Sequence, residues 1–213
     1  MYAIITRHGK NNPEKHIFIR RKNMKKIIAI VLSVLAVVAI FGFAACNKEG
    51  NNDTPAVTIT DSTELLTKVW ASYAEEEKFA AIGGDMSAPV DNAPGKYNIA
   101  DENFTFQLVF PADAVAQIDD AASLIHMMNA NTFTAGAYRT VEGTDIAALT
   151  ESIKATVQGN QWMCGFPEKL VIFNLEGYVV SAFGAADLID NFAAKLTAAY
   201  PTATLAVSEA LNA

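Results

Sequence analysis

Cysteine is scarce in this chain of 213 residues: there are two, Cys46 and Cys164, with three histidines, of which only His126 lies beyond residue 45. Two thiols cannot build a multi-bridge scaffold. A structural zinc site needs about four nitrogen or sulfur ligands, and a catalytic one usually three from the protein, so zinc is not expected, nor any other metal or cofactor. Basic residues are also few where they would matter. Eight of the 16 Lys and Arg lie in residues 1–45 with only one of the 23 acids, Glu14, so residues 46–213 hold eight basic against 22 acidic side chains, a net −14. A charge of that sign opposes nucleic-acid binding, which requires clustered cations to displace counterions, so no nucleic-acid partner is expected. Catalytic motifs are missing too. There is no Gly-x-Ser-x-Gly elbow, no Walker loop, no dinucleotide glycine pattern, no calcium loop of the Asp-x-Asp-x-Asp-Gly type, and no carboxylate pair that stands out. No catalytic residue is assigned.

One long hydrophobic run is present. Lys25 and Lys26 precede an uncharged stretch of 19 residues, 27–45, which follows the grammar of a secretion signal beginning at Met24. It ends in Phe43-Ala44-Ala45-Cys46, which resembles the lipobox of bacterial lipoproteins, with Phe43 where Leu is commonest. The resemblance implies cleavage between Ala45 and Cys46 and a diacylglycerol on the Cys46 thiol, anchoring the chain to the cell membrane with the remainder on the extracytoplasmic face. The alternative, an uncleaved transmembrane anchor, gives the same orientation, because the basic cluster Arg20, Arg21, Lys22, Lys25 and Lys26 keeps the N-terminal side inside. Residues 1–23 read as an over-extended start or a short cytoplasmic tail. Residues 46–59 begin Cys-Asn-Lys-Glu-Gly-Asn-Asn-Asp and contain no large apolar side chain before Val57, so they read as a flexible stalk.

The folded part is expected over residues 60–201. Asp61 and Glu64 mark a helix start, Leu65, Leu66, Val69, Trp70 and Tyr73 share its apolar face, and Gly83-Gly84 is the expected stop. Residues 85–103 read as a loop. Residues 104–110 (FTFQLVF) read as a strand. A helix capped by Asp113 could follow, with Val115, Ile118, Ala122 and Ile125 on one face; or Asp119-Asp120 could break it and leave residues 123–128 as a strand. Residues 133–142 read as a strand. Thr144 opens a helix with Ile146, Leu149, Ile153 and Val157 buried, closed by Gly159. Residues 170–174 and 178–183 flank Leu175-Glu176-Gly177 as a β-hairpin. Leu188, Ile189, Phe192 and Leu196 mark a last helix before Pro201, and residues 202–213 read as a weakly ordered tail. The fold class is α+β: a single domain with a mainly antiparallel sheet of three to five strands and helices packed on one face.

Two groups of residues could carry function. Met127, Met128, Asn129 and Asn131 combine adaptable thioethers with amide hydrogen-bonding groups at an element boundary, which suits recognition; core filling followed by an Asn-rich turn is the commoner use of such a stretch. His126 with Cys164 could form a base and thiol nucleophile, although Leu124-Ile125-His126-Met127-Met128 and Gln161-Trp162-Met163-Cys164 are apolar neighbourhoods that favour burial.

The order of Leu66-Thr-Lys68-Val69-Trp70, the Met127-Met128 pair, a strand, the helix ending at Gly159, and Gly177-Tyr178-Val179-Val180 resembles small bacterial lipoproteins that carry an exported domain of unknown function. The likeness spans residues 65–196 and implies an exported single domain with no catalytic residue to carry over. The expected function is therefore a non-catalytic binding or accessory domain, lipid-anchored at the bacterial cell envelope, whose partner is an envelope protein or a small ligand. The alternative is a thiol-dependent enzyme or hydrolase using Cys164 and His126.

Overall fold

A computed structural model describes residues 58–211. The expected signal, the Ala45–Cys46 junction and the stalk up to residue 57 lie outside the described residues. Helix α1 (Ser62–Ala71) begins as its sequence dictates: the Asp61 carboxylate accepts from Glu64 N at 2.8 Å, and Glu64 Oε2 reaches back to accept from Thr60 N at 2.9 Å. Leu65, Leu66, Val69 and Trp70 are buried. The helix stops well before Gly83-Gly84, because the Ser72 hydroxyl donates to Val69 O at 2.7 Å and a 3₁₀ turn at Glu75–Glu77 follows. The first glycine of that pair serves a different purpose. A Cβ on Gly83 would lie 2.2 Å from Gly95 N, so glycine lets two short strands pass in contact.

Those strands lie in and beside the stretch expected to be a loop: β1 (Ala81–Gly83), β2 (Val90–Asp91) and β3 (Gly95–Tyr97). Strands of two or three residues are too short to show a period. Residues 104–110 contain a short helix, α2 (Phe104–Gln107), in place of the expected strand. Phe104 and Leu108 are buried while Phe106 between them is exposed; spacing of four puts the first two on one helical face, and a run this short satisfies either period. A 3₁₀ segment (Ala112–Gln117) leads into β4 (Ile118–His126), so Asp119 and Asp120 sit inside a strand. The expected strand and hairpin appear as β5 (Phe133–Thr140), β6 (Lys169–Leu175) and β7 (Tyr178–Gly184). Helix α3 (Ile146–Gln158) is capped by Asp145, whose carboxylate accepts from Ala148 N at 3.1 Å, rather than by Thr144. Helix α4 (Ala186–Ala199) precedes β8 (Thr204–Ala210), which stands where the sequence suggests a weakly ordered tail. Its side chains are largely exposed apart from Val207, so its alternation is faint, and backbone pairing with β6 holds it.

The domain is α+β, and its single antiparallel sheet has eight strands rather than three to five, in the order β2-β1-β4-β5-β7-β6-β8, with β3 pairing β4 beside β1. Helices cover both faces, not one. Phe133, Ala135, Ala137, Val171, Phe173, Val180 and Ala182 point to the side packed by α1 and α4. Tyr138, Leu170, Ile172, Val179 and Phe183 point to the side packed by α2 and α3. Period-two alternation with both phases apolar is what a sheet buried on two faces requires.

The chain enters at one end of this sheet. Ile59 O accepts from the Tyr178 hydroxyl at 3.3 Å and Ser62 N donates to Asp120 Oδ2 at 2.8 Å, whereas His126, Phe133 and Gly184 lie at the opposite end of the same strands. No described helix is long and apolar enough to cross a membrane.

Candidate functional site

At the far end of the sheet, a cavity of about 500 Å³ opens between four segments. Strand β4 ends in Ile125 and His126 and turns through Met127 and Met128; the turn after β1 brings Asp85 and Met86; α2 and its exit bring Phe106, Gln107 and Val109; the segment after α3 brings Trp162, Met163 and Cys164. Each wall has a local cause. Asp85 Oδ1 accepts from Ser87 N at 2.9 Å, Ser87 Oγ at 2.6 Å and Ala88 N at 3.0 Å, and Oδ2 accepts from Asn98 N at 3.0 Å. The Ser87 hydroxyl first, then these amides, hold its carboxyl below the usual carboxylate range despite burial. Val109 adopts φ of 48°, in the left-handed region, which swings the chain out of α2. Gln107 Oε1 accepts from the Tyr97 hydroxyl at 2.6 Å, and burial pushes that phenol up to about 12.

The two asparagines of the expected recognition stretch are engaged by the protein itself. Asn129 Oδ1 accepts from Asn131 N at 2.9 Å, closing the turn, and Asn129 Nδ2 donates to Cys164 O at 3.0 Å. Asn131 Nδ2 donates to Met163 O at 2.8 Å and to Gly165 O at 2.9 Å. Both amides thus clamp the segment 163–165 to the turn after β4. The clamped backbone is unusual: Cys164 has φ of 64° and Gly165 of 129°. A Cβ on Gly165 would come within 3.3 Å of Asn129 Nδ2, so glycine permits the close approach.

Apart from Asp85, whose carboxylate is engaged by its own turn, the cavity is lined largely by soft apolar side chains. Met128, Met163, Met86 and Met127 are 81, 79, 70 and 44 % exposed, and Phe106 is 81 % exposed. Among the described residues these are every methionine and five of the eight exposed large hydrophobic side chains. No Lys, Arg or Glu lines the cavity. Trp162 backs it, packed on Phe183 with ring centroids 5.2 Å apart, and His126 stacks on Phe79 at 5.4 Å. Large exposed apolar patches are uncommon on the surfaces of monomeric proteins.

His126 and Cys164 both line the cavity. Cys164 is exposed, contrary to the burial expected from its apolar neighbours in sequence. Met163 and Phe166 are likewise exposed, because the loop carrying them turns outward under the Asn129 and Asn131 clamp. His126 Nδ1 accepts from Met128 N at 3.3 Å. In the neutral ring the proton then sits on Nε2, which can donate but not accept. Among the described residues, no three or more His, Cys, Asp and Glu side chains gather where they could hold a metal ion.

Of the residues expected to bind, Met127, Met128, Asn129 and Asn131 all border this cavity, the first two presenting their side chains and the last two also building its wall. Ala45 and Cys46 lie outside the described residues. Met86, Phe106, Trp162 and Met163 escape sequence reasoning. The signal available was compositional: beyond Met24 the chain has four methionines, all in or beside segments without a secure period. Compared with models of known families, with curated proteins and with solved structures, the chain matches none.

Proposed function

We propose that this chain is a non-catalytic binding domain, anchored at the bacterial cell envelope through lipid on Cys46, that holds an envelope protein or a small ligand in the methionine-lined cleft. One observation carries the reading: five of the eight exposed large apolar side chains of the described residues surround one cavity. Flexible thioethers suit a surface that adapts to its partner. The cleft lies at the end of the sheet away from Ile59, near the start of the described residues. The lipobox-like Phe43-Ala44-Ala45-Cys46 supports the anchor, and Cys46→Ser is expected to abolish palmitate incorporation in growing cells.

The test is a crosslinking pull-down of the full-length chain, tagged at its C-terminus and expressed in its own cells. Met128→Lys puts a charge into the cleft and is expected to lose the captured complex, whereas Leu205→Lys, on exposed β8 and outside the cleft, keeps it. Equal capture by both variants removes the cleft from the proposal.

A second reading, a thiol-dependent enzyme, draws on His126 and Cys164 lining the same cavity. The Met128 N to His126 Nδ1 bond opposes it, since neither ring nitrogen can take the thiol proton while that bond holds. Alkylation of Cys164 by iodoacetamide at neutral pH that slows in His126→Ala would favour the enzyme.

A further inference from the structure

We infer that the cleft is a soft-cation site that takes one Cu(I), with the Cys164 thiolate and thioethers from Met127, Met128 and Met163 as donors and Met86 at its edge. The inference rests on the reading of this cavity as the binding site and names the class of its ligand.

The described chain has five sulfur atoms, those of Met86, Met127, Met128, Met163 and Cys164, and all five residues line the one cavity. Neither core cluster contains a methionine or a cysteine. That inverts the usual distribution, in which both residue types rank among the most buried and methionine fills irregular gaps inside. An adaptable apolar surface accounts for the methionines but not for the exposed Cys164 among them. Leu, Ile and Val fill the two cores. What sets the cleft apart from them is sulfur.

The rest of the lining narrows the cation. Hard cations such as Mg²⁺ and Ca²⁺ require several oxygen ligands, and the single carboxylate at the wall, Asp85, is engaged by Ser87, Ala88 and Asn98. Zinc requires more thiolate, imidazole or carboxylate donors than gather here. Thioether and thiolate donors select Cu(I). One thiolate with several neutral thioethers gives a Cu(I) complex without net charge, which suits a wall free of Lys, Arg and Glu. Binding transfers the Cys164 thiol proton to solvent as the copper–sulfur bond forms, and no electron moves. His126 is not among the donors, because its Nδ1 lone pair faces Met128 N.

The support of the site follows the same logic. Asn131 binds the carbonyls on either side of Cys164, and Asn129 binds that of Cys164 itself. These three hydrogen bonds hold Met163 and Cys164 against the turn that carries Met127 and Met128. Cys164 keeps a left-handed backbone that favours glycine, so a side chain is retained there against a conformational cost.

The experiment uses the full-length chain in detergent under anaerobic conditions with ascorbate, titrated with Cu(I) against a chromophoric Cu(I) chelator. One Cu(I) per chain should be withheld from the chelator, and excess Zn²⁺ should not displace it. Asn131→Ala, which frees the loop, should weaken retention by about tenfold, the low end for a residue that supports ligands from outside. Cys164→Ser and the triple variant Met127→Leu/Met128→Leu/Met163→Leu should weaken it at least as much, with circular dichroism unchanged because these side chains are exposed. Failure to withhold Cu(I), retention by the Cys164→Ser or the triple-methionine variant equal to that of the wild-type chain, or displacement by Zn²⁺ overturns the inference. If Cu(I) is not held while Met128→Lys still abolishes capture of an envelope complex, the metal inference fails and the binding reading stands. If capture is insensitive to Met128→Lys and Cu(I) is not held, both fail.

Discussion

The two ends of strand β4 meet water in opposite ways. At its beginning, Asp119 Oδ1 accepts from Arg139 Nε at 2.6 Å, and Asp120, buried at 4 % exposure, accepts from Ser62 N and pairs with Lys96 Nζ at 3.3 Å. At its end, Ile125 and His126 lead into Met127 and Met128, which have neither charge nor partner chemistry of that kind and stand open to solvent. The difference separates two uses of a sheet end. Charge matched to fixed donors ties the start of α1 to the sheet and fixes where the chain enters. Unmatched thioethers beside a clamped loop leave a surface that the domain itself does not cover.

The largest effect is expected in the core at the His126 end of the sheet. Phe133 is fully buried, packed against Phe79 at 4.9 Å and Phe192 at 5.6 Å. Phe133→Ala is expected to cost about 3–5 kcal/mol in urea unfolding, the range for truncating a buried aromatic ring. Next comes the charged end. Asp120→Ala leaves Ser62 N without its carboxylate acceptor and is expected to cost about 2–3 kcal/mol, while ligand capture by the folded fraction is unchanged.

That end also carries a pH signature. Burial alone would raise the Asp120 carboxyl, but the Ser62 amide and Lys96 ammonium win and hold it below its ordinary value. A carboxylate whose pKa is lowered on folding contributes stability that is fully present above its unfolded pKa, about 3.9, and lost as pH falls below that value toward the folded one. The wild-type chain should therefore lose denaturation midpoint over that acidic window, and Asp120→Asn should lose less. A parallel decline in both would sink this account of the Asp120 pair.

Smaller effects belong to the cleft. Asn131→Ala removes hydrogen bonds to Met163 O and Gly165 O in a half-exposed loop and is expected to cost about 1 kcal/mol globally, with faster amide exchange confined to residues 163–165. Met128→Ser should change stability by less than about 0.5 kcal/mol, as exposed substitutions do. Its effect should fall on binding instead, the reverse of Asp120→Ala.

Much of this architecture was legible in the chain. The capping of α1 by Asp61, the apolar faces of α3 and α4, the strand from Phe133 and the hairpin turning at Gly177 all follow from spacing and turn chemistry, since each is a local property of consecutive residues. Met127 and Met128 could be singled out as a surface because they sit at an element boundary. Misreadings arose where local signals are degenerate. The period of residues 104–110 fits helix and strand alike; β1, β2 and β3 are too short to show alternation; β8 is an edge strand whose exposed side chains leave little pattern.

Only the tertiary structure decided that Met86, Phe106, Met127 and Met163 meet at one cavity, that the amides of Asn129 and Asn131 hold a loop some 30 residues away in the chain, and that Cys164 faces solvent. A sequence specifies what each segment can bury. Which segments end at the same edge of the sheet depends on strand order and register, which are properties of pairing between distant residues, and the sulfur-lined cleft exists only where four such ends converge.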